Sequence, residues 1–247
     1  VTGVQTCALP ISHLMLTDEE RRYILEGDVP EESGASAAND RCLSYGELFR
    51  YKQSWAIMLS RFFIDPIWWM FVIWLPIYLN EAFGFDVKEI GFFAWVPYVG
   101  AALGAIFGGW LARRMIQQGN SVDKTRKWIF ILAGFIMLPG LVGGAFAGDP
   151  VIAVLLIAVV LFGFQVAIGN LQTLASDYFS GKSVGTLAGM GEFAAAAGSI
   201  LLSTFLIPWL SKIDYLPVFI LGAVLVPLGL GAIFVLGGKI ERLKLNS

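Results

Sequence analysis

The stretch WAIMLSRFFIDPIWWMFVIWLPIYL, residues 55–79, decides what kind of chain this is. It holds two charged residues, Arg61 and Asp65, in an otherwise almost unbroken run of aromatic and branched apolar side chains. At a rise of about 1.5 Å per residue such a run is long enough to cross the roughly 30 Å of a bilayer core as one helix. Five further segments have the same character: 90–112, 128–147, 151–174, 184–210 and 216–238. Pro66, Pro97, Pro139 and Pro227 lie inside these runs, where a membrane helix tolerates a kink because neighbouring helices and side chains re-satisfy the freed backbone. Trp55, Tyr78, Trp128 and Trp209 fall near the ends, as interfacial anchors do. The expected fold class is therefore an all-α, polytopic membrane protein with six transmembrane helices.

Composition agrees. The chain is 57% apolar and only 15% charged, with a mean hydropathy of +0.71. A soluble domain carries about 25% charged residues. A net charge of −2 speaks for no nucleic-acid partner, and the bilayer is the partner the composition calls for. Two cysteines, Cys7 and Cys42, and one histidine, His13, form no metal-ligand or disulfide framework. No cofactor or metal is expected. No nucleophile–base pair or carboxylate cluster points to an enzyme.

Lys and Arg in the connections predict orientation. Arg21, Arg22, Arg41, Arg50, Lys52, Arg113, Arg114, Lys124, Arg126, Lys127, Lys182, Lys239, Arg242 and Lys244 fall on one side, against Lys88 and Lys212 on the other. The basic side faces the cytoplasm, so residues 13–52 and the tail 239–247 are expected there. Within 13–52, the T-x-x-E spacing of Thr17–Glu20 predicts a capped helix through about Leu25. An acidic linker follows, and then an interfacial helix at SYGELFRYK, residues 44–52.

Gly100, Gly104 and Gly108 make two overlapping GxxxG steps on one face of the second span, a pattern for close helix approach rather than for a ligand. Gly185 and Gly189 repeat the device in the fifth span, followed by Ala194, Ala195, Ala196, Ala197 and Gly198. Charges inside spans are costly and so mark functional candidates. Arg61 and Asp65, four apart, share a face and can pair structurally or functionally. Glu192 lies well inside the fifth span with no cation near it in sequence, so it faces a wet cavity, binds a cation or proton, or pairs with another helix. The fourth span ends in Gln165, Asn170, Gln172, Thr173 and Ser176, which cannot all face lipid. Together with Trp68, Trp69 and Tyr98 they suit a hydroxylated ligand, since aromatics cover sugar faces and amides bond hydroxyls. Interhelical hydrogen bonding is the alternative for each.

The residues RFFIDPIWWMFVIWLPIYLNEAFGF (61–85), IGFFAWVPYVGAALGAIFGGWL (90–111) and SDYFSGKSVGTLAGMGEFAAAAGS (176–199) resemble the C-terminal half of a major facilitator superfamily transporter. The resemblance is to the anion:cation symporter family, in its bacterial hexuronate and sugar-acid branch. It implies helices seven to twelve of a twelve-helix fold over 53–238, preceded by the central cytoplasmic loop at 13–52, in a bacterial inner membrane. It further implies a carboxylated sugar as substrate, a proton or sodium gradient as drive, alternating access, and a missing six-helix N-terminal half as partner. Substrate contacts would come from Trp68, Trp69, Tyr98, Gln165, Asn170, Gln172, Thr173 and Glu192. Glu192 stands where the family often carries an amide, which sets a carboxylate against an anionic substrate unless it is protonated or paired. Arg113, beside Arg114, stands where the superfamily's gating motif has an acid, so the charge relay in this half is expected to be altered or lost. The opening VTGVQTCALPIS (1–12) has no basic start and no unbroken apolar run, which excludes a secretory signal. Its first eleven residues resemble a translated sequencing adapter. The alternative to half of a symporter is a self-standing six-helix protein, either a homodimerising half-transporter or a pore.

Overall fold

The computed structural model describes residues 17–19, 43–179, 182–211 and 215–243. The expected adapter segment and nearly all of the capped helix and acidic linker lie outside these residues. From residue 41 onward the chain forms one unit. A short helix α1 (Tyr45–Leu48) leads into α2 (Lys52–Phe83), followed by α3 (Val87–Phe93), α4 (Val96–Gln117), α5 (Val122–Ala145), α6 (Pro150–Gln172), α7 (Leu174–Tyr178) and α8 (Lys182–Ile200). A π-helical segment, Leu201–Leu206, continues α8 into α9 (Ile207–Ser211), and α10 (Leu216–Leu236) closes the chain. Six stretches are long and apolar enough to cross a membrane: 52–83, 87–117, 122–145, 150–178, 183–210 and 216–236. All but the sixth are longer than the hydropathy runs that announce them, the first and second most of all.

The boundaries follow local chemistry. Asp86 accepts from the Glu89 amide while Glu89 accepts from the Asp86 amide, a reciprocal cap that starts α3. Ser121 and Asp149 cap α5 and α6 by accepting from the Lys124 amide and from the Val151 and Ile152 amides. Gly84 ends α2 in the left-handed region at φ 70°. Pro97 kinks nothing: the second span is interrupted by a turn at residues 94–95, and Pro97 sits in the first turn of α4, where its missing N–H costs nothing. Trp55, Trp128 and Trp209 are exposed near span ends as expected. Tyr78 instead is buried, in a ring cluster with Phe83, Tyr215 and Phe219. There the Tyr215 hydroxyl donates to Glu81, and burial followed by that bond push the hydroxyl above its ordinary range, so it stays a neutral donor.

Short connections make successive spans antiparallel. The first span, α2, packs on α8 and α10, and the fourth, α6, packs on α4 and α5. Each three-helix set thus sends its first helix between the other two of the opposite set, and α5 against α10 joins the pairs. Ile64, Ile67, Met137, Leu141, Ile157 and Leu161 fill the centre.

The closest approaches are backbone to backbone. A Cβ at Gly100, Gly104 or Gly108 would meet the α6 backbone at Ala158, Phe162 or Val166, at 2.5, 2.2 and 3.0 Å. Both series step by four, so one glycine face runs along one face of α6. In the fifth span the device is displaced from its expected place. Gly185 and Gly189 face open space, whereas a Cβ on Gly198 would lie 2.2 Å from the Phe62 carbonyl oxygen of α2. Sequence spacing finds glycines on a shared face but does not say which face meets a neighbour. Gly104→Val is expected to lower stability by about 1–3 kcal/mol or more through overpacking, and Gly185→Ala to leave it unchanged. Thermal unfolding of the detergent-solubilised variants checks both.

Candidate functional site

Arg61 lies nine residues into α2 and is 4% exposed, roughly 13 Å along the helix from its first residue at 1.5 Å per residue. A guanidinium at that depth must be paired. Its Nε approaches Asp65 Oδ2 at 3.0 Å, one turn along the same helix, as an ion pair rather than an aligned hydrogen bond. Its Nη2 meets Glu192 Oε2 of α8 at 2.5 Å. The Arg61–Asp65 spacing was visible in sequence; the Arg61–Glu192 bridge, across 131 positions of chain, was not. Gly191 makes room for it: a Cβ there would touch Ile57 at 3.2 Å and the Arg61 stem at 3.8 Å. Gly191 was missed by sequence reading, and its place beside Glu192 was the available signal.

Asp65 is enclosed, with its side chain 14% exposed, whereas the Glu192 side chain is 60% exposed. The two acids therefore differ in kind. Asp65 is a fixed counter-ion, and Glu192 is a partner that solvent or a ligand can reach. Beside them opens a cavity of about 250 Å³, lined by Ile57, Arg61, Gln172, Ala175, Ala188 and Glu192 among others. One cation between two carboxylates leaves the cluster with an excess negative charge when all three are ionised. A second anion can reach Arg61 only as Glu192 gives way or is neutralised.

The remaining expected contacts divide among several places. Gln172 is exposed and lines the Arg61 cavity. Trp68 is half-buried, stacked on Phe164 at 5.5 Å and edge-on to Tyr98 at 6.0 Å. Trp69 turns to another face and lines a separate cavity with Ile73 and residues of the fifth span. Gln165 is half-buried on α6. Asn170 and Thr173 do not line the Arg61 cavity. Asn170 is 3% exposed; its Oδ1 accepts from Arg126 Nη1 at 2.6 Å and its Nδ2 donates to the Val166 carbonyl. Thr173 Oγ1 donates to the Asn170 carbonyl at 2.8 Å, at the break between α6 and α7. Gln165 and Gln172 both lie within α6, and Ser176 lies beyond the break, in α7, where its hydroxyl donates to the Thr173 carbonyl at 2.7 Å.

Ion pairs gather at the basic end of the bundle. Arg113 and Arg114 make no ion pair among the described residues, and the interhelical charge pairing at this end runs through other residues. Arg126 bridges Asp177 at 2.9 Å as well as Asn170. Asp123 pairs with Lys127 and accepts from the Ile240 amide at 2.8 Å, which docks the tail. Arg113 is exposed, and Arg114 lies over the Trp110 ring at 5.3 Å. Among the described residues no group of three or more His, Cys, Asp or Glu is placed to hold a metal.

Residues 14–203 match the model of the Major Facilitator Superfamily. The chain belongs to that superfamily. Exchanged three-helix sets are how each six-helix half of a major facilitator protein is built, and the packing above has that pattern. The chain is 34% identical over 217 residues to a hexuronate transporter of Escherichia coli (strain K12), covering 87% of this chain and 49% of the relative. It is 36% identical over 137 residues to a galacturonate transporter of Dickeya chrysanthemi, covering 54% and 39%. To a D-galactonate transporter of Escherichia coli O6:H1 it is 25% identical over 177 residues, covering 72% and 40%. The chain spans about half the length of these relatives or less. Six membrane-capable helices in this superfamily make it a multi-pass membrane protein.

Arg61→Gln removes the charge that both acids share and leaves the enclosed Asp65 carboxylate without its counter-ion, beside an exposed Glu192. It is expected to cost about 3–5 kcal/mol of stability, the range for breaking a buried ion pair from one side. Glu192→Gln, which leaves Arg61 paired to Asp65, should cost clearly less. Unfolding of the two variants side by side measures the difference.

Proposed function

We propose that this chain is the C-terminal half of a secondary active transporter, a cation-coupled symporter of hexuronates or related sugar acids that works by alternating access. The observation that carries the reading is Arg61, a buried cation that opens onto a cavity and is held there by one fixed and one reachable carboxylate. A sugar carboxylate matches Glu192 in charge and geometry and competes with it for the same guanidinium nitrogens. Glu192 released from Arg61 is an uncompensated charge, so exchange is favourable when Glu192 takes up a proton or a sodium ion in the same event. Binding of anion and cation is then one linked step, and neither alone favours the conformational switch. This resolves the difficulty of an acid at a substrate site: the carboxylate holds the arginine in place until the substrate does.

The names of the relatives, hexuronate, galacturonate and D-galactonate transporters, support the substrate class. Their length, about twice the stretch matched here or more, supports a second six-helix half as the partner that completes the cavity. The Lys and Arg asymmetry supports a bacterial inner-membrane protein with residues 13–52 and the tail in the cytoplasm.

The test is uptake of labelled galacturonate into proteoliposomes by the protein joined to its six-helix partner half, over a range of external pH. Wild-type uptake is expected to rise as external pH falls, and Arg61→Gln to reduce it at every pH by about 100-fold, the order expected for a lost charge-assisted contact. Glu192→Gln should transport with a flattened pH profile. Unchanged pH dependence in Glu192→Gln would remove Glu192 from coupling, and wild-type transport that Arg61→Gln leaves intact would sink the reading.

A further inference from the structure

The fifth span changes character beyond Glu192. The α-helix ends at Ile200 and the next six residues, Leu201–Leu206, are wound as a π-helix. Such segments cost hydrogen-bond geometry and gather at functional positions. Two serines flank and enter this segment. Ser199 is 7% and Ser203 9% exposed, and neither hydroxyl has a hydrogen-bond partner. A serine on a membrane helix ordinarily bonds a carbonyl one turn back, and an unpartnered buried hydroxyl costs free energy on the scale of a lost hydrogen bond. Two of them, four residues apart, require an explanation.

Both line a cavity of about 280 Å³, with Trp69 and Ile73 of α2 and Ala196 and Thr204 of the fifth span. Glu192, Ala196 and Ser199 are spaced four and three apart within α8, so this cavity lies on the helix face that presents Glu192 to the Arg61 cavity. No charged side chain lines it, which disfavours an anion or a bare cation at this depth. The volume greatly exceeds one water, whose share of liquid volume is about 30 Å³. Trp69 is 45% exposed and offers a flat apolar surface to the cavity that both serines also line. Ser199 is seven residues beyond Glu192, a rise of about 10 Å. The six-carbon skeleton of a hexuronate, five bonds of about 1.5 Å, is shorter than that.

We propose that the Trp69–Ser199–Ser203 cavity is a second ligand station, separate from Arg61, that takes an uncharged hydroxyl-bearing ring. The apolar face of the ring covers Trp69, and its hydroxyls supply the partners that Ser199 and Ser203 lack. A serine hydroxyl redirects by rotation about one bond, so receiving the ligand needs no backbone movement. The choice of a sugar as ligand rests on the transporter reading above; the station itself rests on the two serines and the cavity.

The test uses the full chain in detergent, with methyl galactopyranoside as an uncharged probe and galacturonate as the anionic one. Binding is read from Trp69 fluorescence, isolated as the difference between wild type and Trp69→Phe, and from the shift in unfolding temperature. Methyl galactopyranoside is expected to bind wild type and Arg61→Gln alike. The double variant Ser199→Ala/Ser203→Ala should bind it about tenfold more weakly, the worth of two neutral hydrogen bonds. Its unliganded unfolding temperature should be unchanged or higher, because two unpartnered polar groups are gone. Equal binding by wild type and the double variant, or no binding of the uncharged sugar, overturns the station and leaves the serines to water or to another helix. A response to sodium chloride over potassium chloride, lost in the double variant and with no response to the sugar, overturns it in favour of a sodium site. Galactoside binding without Arg61-dependent galacturonate binding supports the station while the sugar-acid reading fails.

Discussion

Within a bilayer, water no longer drives apolar side chains together, so these helices are held by how closely their backbones can approach. The α4–α6 contact sets the terms. Three glycines meet three consecutive turns of α6: a side chain on Gly100 or Gly104 would collide with a carbonyl, and one on Gly108 would press on the Val166 Cα. The second such approach, Gly198 on Phe62, does the same for α8 on α2. Each contact ties a helix of one three-helix set to the first helix of the other, so the exchange of helices between sets and the glycine faces are one constraint seen twice. Interfaces of this kind depend on dispersion and shape, with few directional bonds, and they leave the polar groups of the bundle free to be placed where chemistry needs them.

Where those groups fall gives the bundle its polarity. The Arg61–Asp65–Glu192 cluster lies between α2 and α8, the pair that Gly198 draws together, with Gln172 of α6 at the cavity edge. A buried arginine is permanently charged, so its acids cannot both leave it without cost, and only the one on the other helix can move independently. Charge compensation here spans a helix–helix contact. Any event that changes the Glu192 bond therefore acts on the relation of α8 to α2. At the basic end Arg126 plays a comparable part, tying Asn170 and Asp177 across the break between α6 and α7, while Asp123 receives the tail.

Much of this was legible in the sequence because its causes are local. Six apolar runs, basic residues concentrated in alternate connections, the four-residue glycine spacing and the i,i+4 pairing of Arg61 with Asp65 each depend on neighbours along one helix. The misreadings share a cause as well. Pro97 was read as a kink because the run appeared continuous, and hydropathy does not register the turn at residues 94–95 inside it. Asn170 and Thr173 were read as ligand contacts, and their partners, the Arg126 guanidinium and the Asn170 carbonyl, appear only in the folded structure. The Arg126–Asp177 pair was not read at all, because its partners stand 51 residues apart.

The sequence by itself determined the solvent, the number of spans, their lengths to within a turn or two, and which residue types stand at membrane depth. Each of these follows from hydropathy and helical period, which are properties of contiguous residues. Only the tertiary structure decided which glycine faces are contacts, which of two acids near Arg61 is enclosed and which is reachable, and that Trp68 and Trp69 serve different cavities. Those outcomes depend on the rotation of each helix about its own axis against its neighbours. Hydropathy that is nearly uniform around a membrane helix does not encode that rotation; the close backbone contacts do.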